Sequence, residues 1–220
     1  MPTDQIALLI TIAIIVVVSF PVHEFSHAFV AYRLGDGTAK MFGRLTLNPI
    51  AHFDPVGGAM LFISGLLALS AHTSILFGWA KPTPVSPANL RYRRFGEAIV
   101  AAAGPASNLI LAAIAAIPLR LILHSTLDVP PIIVYVLFDF VSINLVLMVF
   151  NFIPIPPLDG SKVLYALLDP STVWRLRPTL EQYGFVILIL LIIPIGPGGS
   201  LLGRILGAVV NPLFSLLVGV

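Results

Sequence analysis

Long apolar stretches are the feature of this chain that most restricts its fold. Hydrophobic residues make up 58% of its 220 residues and charged residues only 10%, whereas about a quarter of a typical soluble chain is charged. Several stretches reach the roughly 20 residues that cross a bilayer, and no polar stretch is long enough to fold alone. The chain is therefore predicted to be an all-α polytopic integral membrane protein with a single membrane-embedded domain.

Apolar stretches and helix-stop residues predict about five or six transmembrane or re-entrant helices. The predicted segments are residues 5–34, 56–80, 95–123, 131–152, a short helix at 161–168, then 180–193 and 201–218. Residues 1–34, 95–124 and 131–168 are expected to form a three-helix core. Residues 180–218 are expected to be accessory, as two short spans or one hairpin. The first segment has no basic residue before Arg33 and no cleavage site, so a retained span is predicted rather than a signal peptide.

Proline and glycine predict three local features. Pro21 lies inside the first helix and should kink it or loosen a turn. Residues 38–47 are moderately polar with a break at Gly43, and a short membrane-associated β-hairpin is predicted there. Pro154, Pro156 and Pro157 fix φ and remove backbone donors, so an extended segment is expected before residue 159.

An ionisable cluster closes the first apolar run, where residues 23–27 read His-Glu-Phe-Ser-His. Histidines four apart on a helix share one face and can bind one metal, and the glutamate between them can reach an activated water. Ionisable groups are costly in lipid, so the cluster indicates a functional site. The alternative is a hydrogen-bonded polar patch between helices.

The remaining metal ligands must also be histidine or carboxylate, because the chain has no cysteine. A catalytic zinc usually takes three protein ligands and keeps one position open. Beyond the histidine pair, the candidates for the third ligand are His52, Asp54, Asp139, Asp159 and Asp169. Asp159 is the strongest because prolines stiffen the backbone before it, but Asp159 is an equally good N-cap for the helix at 161–168.

Loop charges predict the orientation. Basic residues follow the first helix and occur again in residues 81–94, whereas no basic residue precedes the first helix. The N-terminus should therefore be outside and the histidine pair near the cytoplasm. If both basic loops are cytoplasmic, residues 56–80 are re-entrant or form a hairpin broken near 70–74, and the ends of the first and fourth segments share one face. A single span that violates the charge rule once is the alternative.

Three motifs together resemble the site-2 protease family of intramembrane zinc metalloproteases. Residues 23–27 match that family's zinc-binding helix. Residues 151–160, Asn-Phe-Ile-Pro-Ile-Pro-Pro-Leu-Asp-Gly, match its second motif, Asn-x-x-Pro-x-Pro-x-Leu-Asp-Gly, at full spacing. Residues 104–108, Gly-Pro-Ala-Ser-Asn, match its Gly-Pro-x-x-Asn element. The motifs occur in the expected order and extend from residue 1 to about residue 168.

The resemblance implies one zinc ion per chain, with His23, His27 and Asp159 as its ligands and Glu24 as the catalytic base. Zinc activates water at neutral pH, and the glutamate would take a proton from it and later deliver a proton to the leaving amine.

Other polar residues have two open roles each. Asn151 matches the family asparagine near the bound peptide, where it would bind substrate or the oxyanion, and the alternative is an interhelical hydrogen bond. Asn108 has the same two roles open. His52 and Asp54 either hydrogen-bond the ligands or line the path to them, or lie in a solvated loop. Interfacial, packing or membrane-facing roles are expected for His72, His124, Arg91, Arg93 and Arg94.

The expected function is zinc-dependent hydrolysis of peptide bonds within or near transmembrane segments, as in regulated intramembrane proteolysis. The expected partners are transmembrane protein or peptide substrates, the lipid bilayer and regulatory membrane proteins, with no nucleic acid. An unwound substrate would pair with the proline-rich segment before Asp159 or with the hairpin at 38–47. The expected location is the plasma membrane of a prokaryote, with the site towards the cytoplasm.

The chain is expected to be a compact family member, without the PDZ-like or CBS nucleotide-binding domains of larger relatives. Two other classes of function remain open on the residues alone. One is a non-proteolytic metal-binding membrane protein, such as a zinc transporter or sensor. The other is a structural membrane subunit whose histidines form hydrogen bonds.

Overall fold

The computed structural model describes residues 2–71, 78, 81–126, 128–194 and 199–220. The longer helices in this part of the chain are α1 (Thr3–Arg33), α2 (Pro55–Ala71), α3 (Arg94–Leu123), α4 (Pro131–Asn151), α5 (Gly160–Leu167), α6 (Pro170–Ile192) and α7 (Leu201–Val218). Single helical turns occur at Thr38–Met41, Pro49–His52 and Pro87–Asn89. No β-strand occurs among the described residues.

Four of the described helices are long and apolar enough to cross a membrane, namely α1, α3, α4 and α7. Their outer faces carry exposed apolar side chains, as Ile110, Ile114 and Ile117 do on α3. Such faces suit lipid, while the backbone hydrogen bonds of the helices are satisfied internally. The prediction of an all-α polytopic membrane protein is confirmed, and the core segments begin and end close to their predicted boundaries.

The core lies where the four spanning helices meet. Helices α1, α3 and α4 pack against one another, and α7 packs against α3 and α4. Small residues on α3, including Ala112 and Ala116, are fully or almost fully buried there and let the helices approach closely. Leu145 of α4 and Val218 of α7 fill the same cluster. The packing fixes α1, α3 and α4 relative to each other, which is what the site requires.

The predicted irregularity near Pro21 is a π-helical turn at Ile15–Ser19. Proline has no N–H to donate into the preceding turn. The backbone hydrogen-bond pattern widens there, and Phe20 N–H donates to Ile15 O, five residues earlier. Regular helix resumes at Phe20–Arg33. A widened turn of this kind rotates the following residues about the helix axis and so re-aims the histidine pair.

The predicted hairpin at residues 38–47 is wrong. The segment forms a helical turn at Thr38–Met41, and no strand occurs in it. Asp36 Oδ1 accepts hydrogen bonds from the backbone N and the hydroxyl of Thr38, which starts a helical turn in place of a strand. Gly43 follows with φ of +68°, in the left-handed region that favours glycine.

The two ends of the segment containing α2 lie together. Lys81 N–H donates to His52 O at 2.8 Å, which joins the residues on either side of it. Because a hydrocarbon core is about 30 Å thick, ends in hydrogen-bond contact lie on one membrane face. This contact favours the re-entrant arrangement over a single span. The predicted break near 70–74, and His72 with it, falls outside the described residues beyond position 71.

The segment before Asp159 consists of turns, so the expected extended backbone there is wrong. Ile153 N–H donates to Phe150 O, and Leu158 N–H donates to Ile155 O. The turns fold the chain back tightly, because a Cβ built on Gly160 would overlap the Phe152 carbonyl. Glycine at 160 therefore permits the close return that places Asp159.

Helix α6 begins ten residues before the predicted 180–193 segment, at Pro170. Asp169 caps it by accepting hydrogen bonds from Ser171 N and Thr172 N. Its first half carries charged side chains and its second half exposes apolar ones. Helix α7 has the predicted bounds, and the accessory role of both helices stays a prediction.

Candidate metal centre

Three potential ligand atoms converge at one point between α1 and the start of α5. His23 Nε2 lies 3.0 Å from His27 Nε2, and Asp159 Oδ2 lies 3.3 Å from the former and 3.1 Å from the latter. Ligand atoms of a tetrahedral zinc, each at about 2.0–2.1 Å from the ion, lie about 3.3 Å from one another. The observed separations fit such a set, and the three residues form a buried group able to hold a metal ion.

The far sides of both imidazole rings are held by hydrogen-bond acceptors on α3. His27 Nδ1 lies 2.7 Å from Val100 O, and His23 Nδ1 lies 3.2 Å from Asn108 Oδ1. Because carbonyl oxygens only accept, each Nδ1 is the donor, and a neutral ring then presents the lone pair of Nε2. Two lone pairs and a carboxylate oxygen that face each other suit a cation held between them, so these residues fit zinc.

Asp159 is oriented towards the histidines. It precedes Gly160–Leu167, but its side chain makes no capping hydrogen bond to that helix. Burial raises the pKa of the Asp159 carboxyl, but contacts with the two imidazoles and with Lys162 lower it by more, so its pKa lies well below the ordinary value. An ionised carboxylate is what metal ligation requires.

The other candidate third ligands lie elsewhere. Asp54 Oδ1 accepts from Val56 N and Gly57 N at the start of α2, and Asp169 caps α6. Asp139 lies 12 residues before the last residue of α4, about 18 Å along the axis at 1.5 Å per residue. Of the five candidates, the structure brings only Asp159 to the histidine pair among the described residues.

The carboxylate of Glu24 is held by a residue that the sequence patterns do not single out, Thr83. Thr83 donates to Glu24 Oε2 from its backbone N at 2.9 Å and from its hydroxyl at 2.8 Å. The same hydroxyl lies 3.1 Å from Glu24 O. A threonine between two prolines in a loop carries no recognisable motif, so only the folded structure identifies it. These contacts fix one oxygen of the glutamate.

The loop of residues 81–93, which carries Thr83, is anchored along the end of α1. Fully buried Asp36 accepts hydrogen bonds from Ser86 N and Asn89 Nδ2 as well as from Thr38. Burial raises the pKa of the Asp36 carboxyl, but these hydrogen bonds lower it by more, so its pKa lies below the ordinary value. An ionised Asp36 therefore ties this loop to the turn after α1 and keeps Thr83 beside Glu24.

The remaining predicted site residues have identifiable contacts. Asn108 is buried and contacts His23 as described, whereas Asn151 Nδ2 donates to Leu147 O on its own helix. His52 is buried rather than solvated, and its Nε2 lies 2.8 Å from Thr46 O. Asp54 caps α2. Substrate or oxyanion roles for Asn151 and Asn108, and ligand-supporting or access roles for His52 and Asp54, stay predictions.

Comparison with known proteins places the chain among bacterial metalloproteases. "Putative zinc metalloprotease YwhC" of Bacillus subtilis (strain 168) is 40% identical over 190 residues, which cover 84% of this chain and 81% of that protein. The proteins named "Putative zinc metalloprotease Rip2" of Mycolicibacterium smegmatis and Mycobacterium tuberculosis (strain H37Rv) are 31% and 34% identical over 187 and 181 residues. These alignments cover 80% and 79% of this chain and 63% of each Rip2 protein.

No protein-family model and no solved structure matches the chain. The helical membrane fold and the His–His–Asp cluster define a membrane metalloprotein, and the YwhC match covers most of both chains. The chain belongs to the site-2 protease family of zinc metalloproteases.

Gly104 leaves room for the two imidazole rings of the candidate metal centre. A Cβ built there would overlap the Nε2 atoms of both His23 and His27, which face the metal position. We expect Gly104→Ala to weaken zinc binding by about 10- to 100-fold, as displaced ligand geometry does elsewhere. Gly207→Ala is the matched control, because the nearest atom to its added Cβ lies 3.8 Å away. Equal zinc affinity of the two variants would disprove this role of Gly104.

Removing the hydroxyl of Thr83 should slow proteolysis without removing the metal. We expect Thr83→Val to lower kcat by about tenfold at unchanged zinc content, because one of two hydrogen bonds to a charged carboxylate is lost. Thr83→Ser keeps the hydroxyl and should restore most of the rate. The measurement is kcat and KM for cleavage of a single-span substrate. A Thr83→Ser variant as slow as Thr83→Val would show that the hydroxyl does not position Glu24.

Proposed function

We propose that the protein is an endopeptidase with one zinc ion per chain, which hydrolyses peptide bonds within or near transmembrane segments of membrane proteins. The observation that carries the proposal is the convergence of His23 Nε2, His27 Nε2 and Asp159 Oδ2, with Glu24 on the same helix as the histidines. When bound, zinc supplies a Lewis acid that would polarise the scissile carbonyl and lower the pKa of bound water towards neutral pH.

Glu24 acts as the general base and then the general acid. Thr83 donates to Oε2, so Oε1 is the oxygen that takes the proton from water and later delivers it to the leaving amine. Asn108 and the Val100 carbonyl hold the Nδ1 protons of the two histidines, which keeps both Nε2 atoms free for ligation. Asn151, at the end of α4, binds the substrate strand or the oxyanion.

The substrate must unwind, because a helical peptide bond is shielded and already hydrogen-bonded. Residues 81–86 have no helical structure and pass Glu24 through the Thr83 contact. The hairpin at 38–47 and the extended segment before Asp159 are both absent from the described fold. Residues 81–86 offer carbonyl acceptors to a substrate rather than a full β-ladder, because Pro82 and Pro84 have no N–H and the N–H groups of Lys81, Thr83 and Ser86 already donate within the protein. A substrate bond held by such carbonyls would lie beside the carboxylate of Glu24.

The protein lies in the plasma membrane of a bacterium, and its metal centre faces the cytoplasm. The relatives are bacterial, and the basic loops next to the histidine-containing end of α1 follow the positive-inside rule. Hydrolysis consumes water, and the hydrocarbon core of the bilayer contains none. Water therefore reaches the site from the cytoplasmic face.

The experiment that tests the proposal uses the purified full chain in vesicles with a single-span substrate. We expect cleavage within or near the transmembrane segment, its loss with a zinc chelator and its return when zinc is added. Zinc uptake into the same vesicles is measured in parallel to examine the transporter alternative. Cleavage that continues unchanged in the presence of the chelator, or zinc uptake without cleavage, would reject the proposal.

Among the described residues only one group of three potential ligands occurs, which favours a single catalytic site over a transport path.

A further inference from the structure

A large cavity lies beside the metal centre, between the start of α3, α5 and the first half of α6. Its volume is about 830 Å³, and a smaller cavity of about 390 Å³ adjoins it towards Pro156 and Pro157. The two share Lys162 and Tyr165 in their linings. Nothing in the proteolytic mechanism above uses the larger cavity.

Positive charge dominates the lining. Its charged residues are Arg94, Lys162, Arg175, Arg177, Glu97 and Glu181. Arg177 Nε lies 2.7 Å from Glu181 Oε1, so these two neutralise each other. Lys162 in turn pairs with Asp159, which lies outside this lining, so Arg94 and Arg175 remain against Glu97. Arg94 bonds Leu168 O through Nη1, but a guanidinium has five N–H donors and keeps others for a ligand.

A buried polar group in the wall also indicates an occupant. Tyr165 is more than nine-tenths buried, and its hydroxyl has no hydrogen-bond partner among the described residues. Its ring lies under Arg177, whose Cζ is 5.5 Å from the ring centroid. An unpartnered buried hydroxyl is unfavourable, and Tyr165 lines both cavities, where a polar ligand would supply a partner.

The cavity lies at the level of lipid headgroups. Helix α3 has 30 residues, or about 45 Å, against a hydrocarbon core of about 30 Å, so its first residue, Arg94, reaches the interface. Trp174 is 81% exposed at the rim, and tryptophan is typical of that interface. Phe185, on the apolar half of α6, lines the smaller cavity. The site therefore has a cationic end and an apolar end.

We propose that this cavity binds the headgroup phosphate of an anionic phospholipid, with Arg94 and Arg175 as the principal cations. Guanidinium groups bind phosphate through paired charge-assisted hydrogen bonds, and basic pockets between helices at the cytoplasmic face suit such headgroups. The apolar half of α6 accommodates the acyl chains, which neither free phosphate nor an acidic peptide segment would need. Lys162 also lies 3.5 Å from Asp159 Oδ1, so the lipid site borders the metal centre.

The test measures lipid binding by native mass spectrometry on the purified full chain in non-ionic detergent. We expect one phosphatidylglycerol to bind at least tenfold more tightly than phosphatidylcholine. Removing two cations in Arg94→Gln/Arg175→Gln should weaken phosphatidylglycerol binding about 25-fold, at about fivefold per charge. The control Arg33→Gln removes a charge outside the cavity and should leave binding unchanged. Arg94→Lys/Arg175→Lys keeps both charges and should retain most of it, and unchanged zinc content shows that each variant is folded.

Three results would overturn the proposal. Equal binding of phosphatidylglycerol and phosphatidylcholine would show that the cavity does not select an anionic lipid. Displacement of phosphatidylglycerol by millimolar inorganic phosphate would assign the site to a free anion. Binding of a soluble acidic peptide that phosphatidylglycerol does not displace would assign it to a protein segment.

Discussion

Glu24→Gln should retain zinc and lose cleavage of a transmembrane substrate by about a thousandfold. Glutamine has nearly the same size, and its side-chain oxygen can still accept a hydrogen bond from Thr83. An amide cannot take a proton from water at neutral pH, so only the proton transfers fail, and these contribute about 10²- to 10⁴-fold in hydrolytic enzymes. The measurements are zinc content and the single-turnover rate on the same preparation.

The control for Glu24→Gln is another carboxylate-to-amide change, Asp128→Asn, at an exposed position in the loop after α3. It should leave both zinc and rate unchanged. A Glu24→Gln variant that cleaves within tenfold of the wild-type rate would remove this residue as the base. Loss of zinc together with rate would instead assign Glu24 to the metal centre.

Asp159→Ala should yield protein without zinc and without detectable cleavage. The substitution removes the carboxylate oxygen that lies 3.3 Å from His23 Nε2 and 3.1 Å from His27 Nε2. Two neutral imidazoles alone form an incomplete set for a catalytic zinc, which usually takes three protein ligands. We expect zinc affinity to fall by more than a hundredfold, measured by metal analysis after dialysis against a weak chelator.

Asp139→Ala is the matched control, because it removes a carboxylate from the middle of α4, about 18 Å along the axis from the end that leads to the metal centre. It should keep its zinc, and both variants should show the helical circular dichroism of the wild type. Zinc retained in folded Asp159→Ala, or lost in Asp139→Ala, would show that the third ligand has been assigned to the wrong residue.

The spanning helices could be predicted from sequence because their signals are local. Hydropathy, the stop after Arg33 and the proline at position 131 set boundaries that the structure reproduces within a few residues. The widened turn before Pro21 also follows from a missing backbone donor. The helical turn at Thr38 had a local signal too, since Asp36 lies two residues before it and accepts from its backbone N–H.

The site could be predicted only in part, because motifs name side chains and the fold supplies their neighbours. The histidine pair and Asp159 carry recognisable spacing, although the N-cap alternative for Asp159 required the observed geometry to decide. Val100 supports His27 through its backbone carbonyl, which any residue type would provide. Thr83 reaches Glu24 across 59 positions of sequence, and no pattern in a proline-rich loop predicts such a contact.

The measurement that tests the central claim most directly is elemental analysis of purified protein that cleaves its substrate. A metal centre built from His23, His27 and Asp159 predicts one zinc per chain, with activity proportional to zinc content as the metal is removed and restored. Active protein that contains no zinc, or activity that does not follow the zinc content, would contradict it.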